Sequence, residues 1–297
     1  MPNNIPLSFT TSEDEDCACV PKSLCAPVTV QHKQEVFGFT AGNNETWQSM
    51  DWTQVTTLAW STEPELVCIA HKHNARLVAA APLMNITELG LDASKRAKWV
   101  TSTVATAKAL HIDGVTFDYE SPIARGAPEA EMYVQIIRET TAAMHAQLPG
   151  SQTSVCVAWS PNDIDGRYYN ISGFADAADL LYIMMYDTRS QIFDVCLAGP
   201  NAALPLALHG VQQYLDVPVD PSQLVLGVPW YGYDYPCEPG TQPDARFCPI
   251  KEVPFRGVNC SDAAGGEVGY PRIQAMVDNN STSSGGLQWD ETVSSPW

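Results

Sequence analysis

The sequence is poor in positive charge. Its 297 residues hold 16 Lys and Arg against 34 Asp and Glu, a formal net charge of −18. A nucleic-acid binder needs a basic stripe that displaces counterions from phosphates, and this chain offers none. An anionic lipid surface would repel the same charge. Long apolar runs are also missing. No stretch of 18 apolar residues exists, so no transmembrane helix is expected. Met1 to Asp16 lacks the apolar centre of a secretory leader and ends in the acidic run 13–16. No G-x-G-x-x-G follows the first β-like run, which weighs against a doubly wound dinucleotide-binding sheet. Paired zinc spacings are absent too: Cys17 and Cys19 stand too close, and His71 and His73 lack a regularly spaced partner. No metal and no organic cofactor is expected. An uncharged ligand such as a sugar suits the composition.

What is present begins with nine cysteines. One cluster is Cys17, Cys19 and Cys25; another is Cys237, Cys248 and Cys260. Cysteines clustered in loop-like sequence predict disulfides and an oxidising compartment. Nine is odd, so one thiol is left over, and Cys156 inside an apolar run is the candidate for a buried free thiol. N-x-[ST] acceptors at Asn44, Asn85, Asn170, Asn259, Asn279 and Asn280 point the same way. The expectation is a lysosomal or secreted protein, monomeric, with an N-terminus incomplete at the start of this sequence.

Seven short apolar or β-branched runs alternate with helix-like segments. They are 35–40, 55–61, 76–83, 114–120, 154–160, 179–187 and 224–231. Pro64 suits the first turn of a helix over 63–75, where its missing N–H is not needed. Ala97, Val100, Val104 and Ala107 fall on one helical face, as do Tyr133, Ile136, Ile137, Thr140 and Met144. Strands apolar on both faces, each followed by a helix, predict a parallel sheet covered on both sides. The expected fold is α/β, a (β/α)8 TIM barrel truncated before its eighth strand, with an open doubly wound sheet as the alternative. After Tyr235 only 272–277 looks helical, and 286–289 makes a poor strand. The expected organisation is a Cys-containing extension over 1–30 and a catalytic barrel over 31–297.

Active sites of such barrels form at the C-terminal ends of the strands. The fourth run reads Asp113-Gly114-Val115-Thr116-Phe117-Asp118-Tyr119-Glu120. Strand alternation turns Thr116, Asp118 and Glu120 to one face, and Phe117 and Tyr119 to the helices. Two neighbouring carboxyls resist joint ionisation, so one keeps its proton, as protonation of a glycosidic oxygen requires. The bland alternative is a solvated pair of acids, or one bridged to Arg or Lys. The sixth run brings Met184, Tyr186 and Asp187 to the same rim, while Met185 reads as core. The fifth leads into Trp159 and Asn162, the seventh into Trp230 and Tyr231. Aromatic faces there suit sugar rings, and packing beneath loops competes with that reading for each.

D-G-x-T-x-D-x-E over 113–120 resembles the D-G-x-D-x-D-x-E signature of family 18 glycoside hydrolases, the chitinase family. M-x-Y-D at 184–187 is similar to that family's sixth-strand motif. C-x-C-x5-C at 17–25, AWSP at 158–161, GVPWYGYDY at 227–235, VPFRG at 253–257 and CSDAAG at 260–265 resemble a lysosomal chitobiose-cleaving branch of it. The resemblance implies a substrate-assisted retaining glycosidase acting on β-1,4-linked N-acetylglucosamine in chitobiose-containing oligosaccharides of N-glycan degradation. It implies that Glu120 is the proton donor, that Asp118 orients the 2-acetamido group, and that Tyr186 holds that group. Asp187, Met184, Asn162, Trp230 and Tyr231 are expected to bind substrate, with Asp113 and Thr116 supporting. Thr116 stands where the family usually has Asp or Asn and brings no charge. A strand-eight tryptophan of the family has no counterpart in this sequence. An endo-chitinase or endoglycosidase, a non-catalytic sugar-binding protein and an inactive fragment remain as alternatives.

Overall fold

The computed structural model describes residues 17–40, 45–188, 195–242, 245, 247–279 and 286–297. The acidic run 13–16 and the acceptors Asn44 and Asn280 lie outside the described residues. Seven strands form one sheet in sequence order: β1 (Phe37–Phe39), β2 (Thr57–Ala59), β3 (Arg76–Ala80), β4 (Gly114–Phe117), β5 (Gln152–Ala158), β6 (Leu180–Met184) and β7 (Leu224–Gly227). This is the strand order of a (β/α)8 barrel, with seven strands among the described residues. By contacts the chain divides into two compact units, one of residues 1–84, 92–116 and 139–153, the other of 85–91, 117–138 and 154–297.

In the first unit β1, β2 and β3 pair in parallel, with Phe37 opposite Thr57 and Thr57 opposite Arg76. Helix α1 (Pro64–Lys72) carries Pro64 in its first turn as expected. Asp113 is completely buried. Its carboxylate accepts from the backbone N–H of Val28 and of Leu77, each at 2.8 Å, and from His71 Nε2 at 2.8 Å. It ties the N-terminal segment, β3 and α1 to the start of β4. Gly114 follows because a Cβ there would lie 1.8 Å from the Gln152 carbonyl oxygen. Bridges Cys17–Cys25 and Cys19–Cys68 hold the N-terminal segment. The sulfurs of Cys17, Cys19 and Cys25 lie within 4.8 Å of one another, and all three are spent in these bridges.

One predicted face needs correction. In the helix over Ala93–Ala109, Val100, Val104 and Ala107 are buried but Ala97 is exposed. Arg96 takes the buried place, because its Nε donates to Glu139 Oε2 at 2.9 Å and the pairing offsets the loss of hydration. That helix is α3; α2 (Ile86–Leu91) belongs to the second unit.

In the second unit β5, β6 and β7 end level, with Ala158 opposite Met184 and Met184 opposite Gly227. The segments after these three strands therefore leave the sheet at one height. Helix α4 (Glu129–Gln147), whose residues from 139 on belong to the first unit, buries Tyr133, Ile136, Ile137, Thr140 and Met144 as the spacing predicts. Phe117 and Tyr119 both set their rings edge-on to Tyr133, at 6.1 and 5.5 Å. That confirms the helix-facing half of the alternation. The run 114–120 is not strand throughout, however: β4 ends at Phe117, so Asp118 and Glu120 stand beyond the ladder. The remaining elements are α5 (Ile171–Ala177), α6 (Leu204–Leu215), the antiparallel pair β8 (Tyr231–Asp234) and β9 (Gly266–Gly269), α7 (Tyr270–Asp278), and β10 (Trp289–Asp290) with β11 (Ser295–Pro296). Residues 286–289 contribute only Trp289 to a two-residue antiparallel strand. Bridges Cys196–Cys260 and Cys237–Cys248 pin the loops of this unit, and Cys156 is free and buried. Asn170 caps α5, accepting from Gly173 N–H and donating to Glu131, so its amide is already engaged. No described helix is long and apolar enough to cross a membrane.

The Asp113 site yields a stability test. Asp113→Ala leaves His71 Nε2 and two backbone donors unpaired in the core and should cost about 3–5 kcal/mol in denaturant unfolding. The His71 pKa is raised: burial opposes protonation, but the Asp113 hydrogen bond and charge outweigh it. A raised folded pKa gives stability that is full below the ordinary value of 6.5 and is lost as pH climbs through the folded pKa. The melting temperature should fall across that window in the wild type, and His71→Gln should flatten the fall.

Candidate active site

The candidate site lies within the second unit. A cavity of about 230 Å³ is lined by Glu120, Arg167, Tyr186, Asp187, Arg256 and Asp262, with Trp159, Met184 and Tyr233 among its other walls. Glu120 is half-exposed. Its Oε2 accepts from Arg167 Nη1 at 2.8 Å, and Arg167 Nη2 donates to Asp165 Oδ2 at 2.8 Å. Arg256 Nη1 donates to the Glu120 carbonyl at 3.1 Å and stands 3.6 Å from Asp165 Oδ2.

Asp118 keeps solvent access on one side, yet the protein around it desolvates its carboxyl. Its pKa is pushed up to about 6, first by that desolvation and then by the Glu120 charge. A hydrogen bond with Cys156 and the Arg167 charge act in the opposite direction. Burial likewise pushes the Cys156 thiol well up. The Tyr186 phenol is also held well above its ordinary range, by burial first and then by Tyr182, so it remains a hydroxyl donor. Asp187 Oδ1 accepts from Tyr231 at 2.7 Å and Tyr233 at 3.1 Å, and Asn201 Oδ1 accepts from its N–H at 2.8 Å. Asp262 is pushed up to about 6 by burial and by the Asp187 and Asp165 charges. Burial also raises Asp165, against Arg167 and Arg256. Three carboxyls of the site, Asp118, Asp165 and Asp262, are thus raised by burial.

Of the residues expected here, Glu120, Tyr186, Asp187 and Met184 line the cavity. Asp118 joins them electrostatically through Glu120, Arg167 and Tyr186. Tyr231 reaches the site through Asp187, and its ring stands edge-on to Tyr186 at 5.9 Å. Asn162 lies on a separate cavity of about 730 Å³, which shares the Trp159, Ile164 and Arg256 walls. Trp230 lines neither cavity; it is 72% exposed and packs edge-on to Tyr270. Asp113 and Thr116 are fully buried in the first unit. Sequence reasoning missed Arg167, Asp165, Arg256, Asp262 and Tyr233. Arg256, Asp262 and Tyr233 sat inside the quoted VPFRG, CSDAAG and GVPWYGYDY segments. Arg167, in an Asp-Gly-Arg turn, carried no signal of its own.

The model for glycosyl hydrolases family 18 matches residues 36–297. Di-N-acetylchitobiase of Rattus norvegicus is 42% identical over 285 residues, covering 95% of this chain and 76% of the relative. The Homo sapiens di-N-acetylchitobiase is 40% identical, covering 95% and 72%. Among solved structures, a class V chitinase from Nicotiana tobaccum overlays with a TM-score of 0.67 at 16% identity, covering 89% of this chain and 83% of that one. A GH18 chitinase from Cycas revoluta in complex with (GlcNAc)3 gives 0.66 at 19%, covering 88% and 83%. At those identities the overlays speak for the fold. With matched family residues running from β1 through the whole cavity, this chain belongs to glycosyl hydrolases family 18 and is a glycoside hydrolase.

Proposed function

We propose that this enzyme hydrolyses β-1,4-linked N-acetylglucosamine in chitobiose-type oligosaccharides. It releases the reducing-end sugar, in a lysosomal or secreted setting where N-glycans are degraded. The observation that carries the reading is the Asp118–Glu120 pair, one carboxyl raised to about 6, at a cavity that also holds the Tyr186 hydroxyl. The relatives named di-N-acetylchitobiase support the choice of substrate.

The mechanism follows from the chemistry of these groups. The carbonyl oxygen of the substrate's 2-acetamido group attacks the anomeric carbon as the glycosidic C–O bond breaks. Glu120 gives its proton to the departing oxygen. Asp118 and the Tyr186 hydroxyl hold the acetamido group in line, and Asp118 stabilises the positive charge that develops on its nitrogen. Glu120, now a carboxylate, takes a proton from water, and that water opens the cyclic intermediate at the anomeric carbon. Two displacements retain the configuration, and no enzyme carboxylate bonds to the sugar. Family 18 is one of the known exceptions to the scheme with an enzyme nucleophile. Asp187, already engaged by two phenols, serves as an acceptor for substrate and as an anchor for Tyr231. Met184, Asn162, Trp230 and Tyr231 complete the proposed sugar contacts. An endo-chitinase of longer reach is the second reading; the larger cavity beside Trp159 favours it.

Glu120→Gln should lower kcat on an aryl chitobioside by about 10³-fold, within the range for loss of a general acid, while sugar binding survives in calorimetry. Turnover close to wild type would remove Glu120 from the role. A thiazoline mimic of the cyclic intermediate should inhibit competitively; absence of inhibition would count against attack by the acetamido group. The pair shares one proton and retains it up to about pH 6. The rate should therefore decline as pH rises past about 6, a profile that steady-state assays from pH 4 to 8 would display.

A further inference from the structure

Glu120 stands three residues past the end of β4, so no ladder hydrogen bond fixes it. Other groups do. Tyr169 directs its single hydroxyl proton between the carbonyls of Tyr119, at 2.7 Å, and Ser121, at 2.8 Å. Arg256 takes the carbonyl between them. The backbone of 166–168 clips onto Ile123: Ile123 N–H donates to Gly166, and Tyr168 N–H donates to Ile123, each at 3.1 Å. The clip sets Arg167 beside Glu120. The Arg167 side chain is only 7% exposed, and its Nε also donates to the Ile164 carbonyl at 3.3 Å. The turn that presents it holds Asp163 and Asp165 in the left-handed region, at φ 59° and 60°. Such backbone persists only where surroundings over-determine it. A buried guanidinium is tolerated only when paired, and its partners are Glu120 and Asp165.

We infer that Arg167 is the positioning residue for Glu120: it grips Oε2 from a rigid, buried mount and leaves Oε1 to meet the glycosidic oxygen. Among the described residues Oε1 has no hydrogen-bond partner. A planar fork with one prong on Asp165 and one on Glu120 fixes the carboxylate plane, which a lysine cannot do. The same charge lies in the field of the acid pair. Facing that pair are Cys156 from β5, Tyr186 and Asp187 after β6, Tyr133 from α4, Tyr169 and Asp165 from the segment before α5, and Arg256 and Asp262 from the segment between β8 and α7. Arg167 and Arg256 are the cations in this set, and Arg167 is the one bonded to the Glu120 carboxylate.

The inference rests on the hydrolytic reading above, and its test is separable from it. The experiment is the pH profile of kcat and KM on a chitobiose-type substrate, with folding checked by circular dichroism. Arg167→Gln should lower kcat about 100-fold, the scale of a misplaced catalytic group, with KM within about threefold. Its alkaline limb should move up by about one pH unit, because a cation that favours the ionised pair is gone. Arg167→Lys should return the limb toward wild type while kcat stays low, since charge is restored and the fork is not. Asp165→Asn keeps the packing and removes a counter-charge, so its limb should move down, and this variant decides the matter if Arg167→Gln does not fold. Limbs unmoved in the variants, or a loss borne by KM, would overturn the positioning role. A wild-type enzyme without turnover on the substrate would instead overturn the hydrolytic reading itself.

Discussion

The proximity of the Asp118 and Glu120 carboxyls, in a pocket that desolvates one of them, is the constraint on which the rest of the site depends. Two anions so placed repel, and burial adds to the cost of charging Asp118. The pair therefore retains a proton into the mildly acidic range. The surroundings decide where that proton rests. Arg167 bonds Glu120, the Arg167 charge and the Cys156 hydrogen bond favour the ionised form of Asp118, and Tyr186 remains a neutral donor beside them. A site built this way can supply a proton on one side of a substrate and a fixed anion on the other. Those are the two needs of the acetamido-assisted reaction proposed here.

Thr116 gives this arrangement its own character. The signature it departs from places a charge or an amide at that position, in a row with the next two acids. In this chain the residue is buried and neutral. It brings no charge to the row. Asp113 does not replace the lost acid, because its oxygens are committed to Val28, Leu77 and His71. The balance falls to groups brought in laterally, Cys156 from β5 and Arg167 from the segment before α5. A neutral row residue and a lateral cation act in the same direction, since each limits the negative charge gathered around the acid pair.

The sheet was legible in the sequence because its signal is local. Apolar runs such as 154–160 and 179–187 stand out by composition, and β5 and β6 occupy most of them. The acid pair was legible for the same reason: two carboxyls at the end of an apolar strand demand an explanation. The fault at Ala97 shows where locality fails. An exposed alanine and a buried arginine look reversed until Glu139, 43 residues away, supplies the missing charge. Arg167 was invisible on the same grounds. Nothing in an Asp-Gly-Arg turn announces that the guanidinium folds inward onto Glu120, 47 residues earlier. The segment around Trp230 was legible only as a group: Tyr231 and Tyr233 reach Asp187, whereas the Trp230 ring turns toward Tyr270.

Part of the backbone strain falls where the charges do. In the second unit Asp163, Asp165 and Asp187 all adopt φ between 52° and 60°. Aspartate tolerates this region better than most residues because its short polar side chain can bond locally, but each such residue still costs about 1–3 kcal/mol. The compensation is visible at two of them. Asp187 is held by two phenols and by Asn201, and Asp165 by Arg167. In both cases the group that offsets the strain also orients the site. Tyr231 is held against Tyr186 through Asp187, and Arg167 is held against Glu120 through Asp165. Relieving either turn with glycine would remove the strain together with the carboxylate that anchors its neighbour. The strained geometry and the aimed side chains are therefore one feature, which is why both sit in the segments beyond the strands and the regular sheet beneath carries neither.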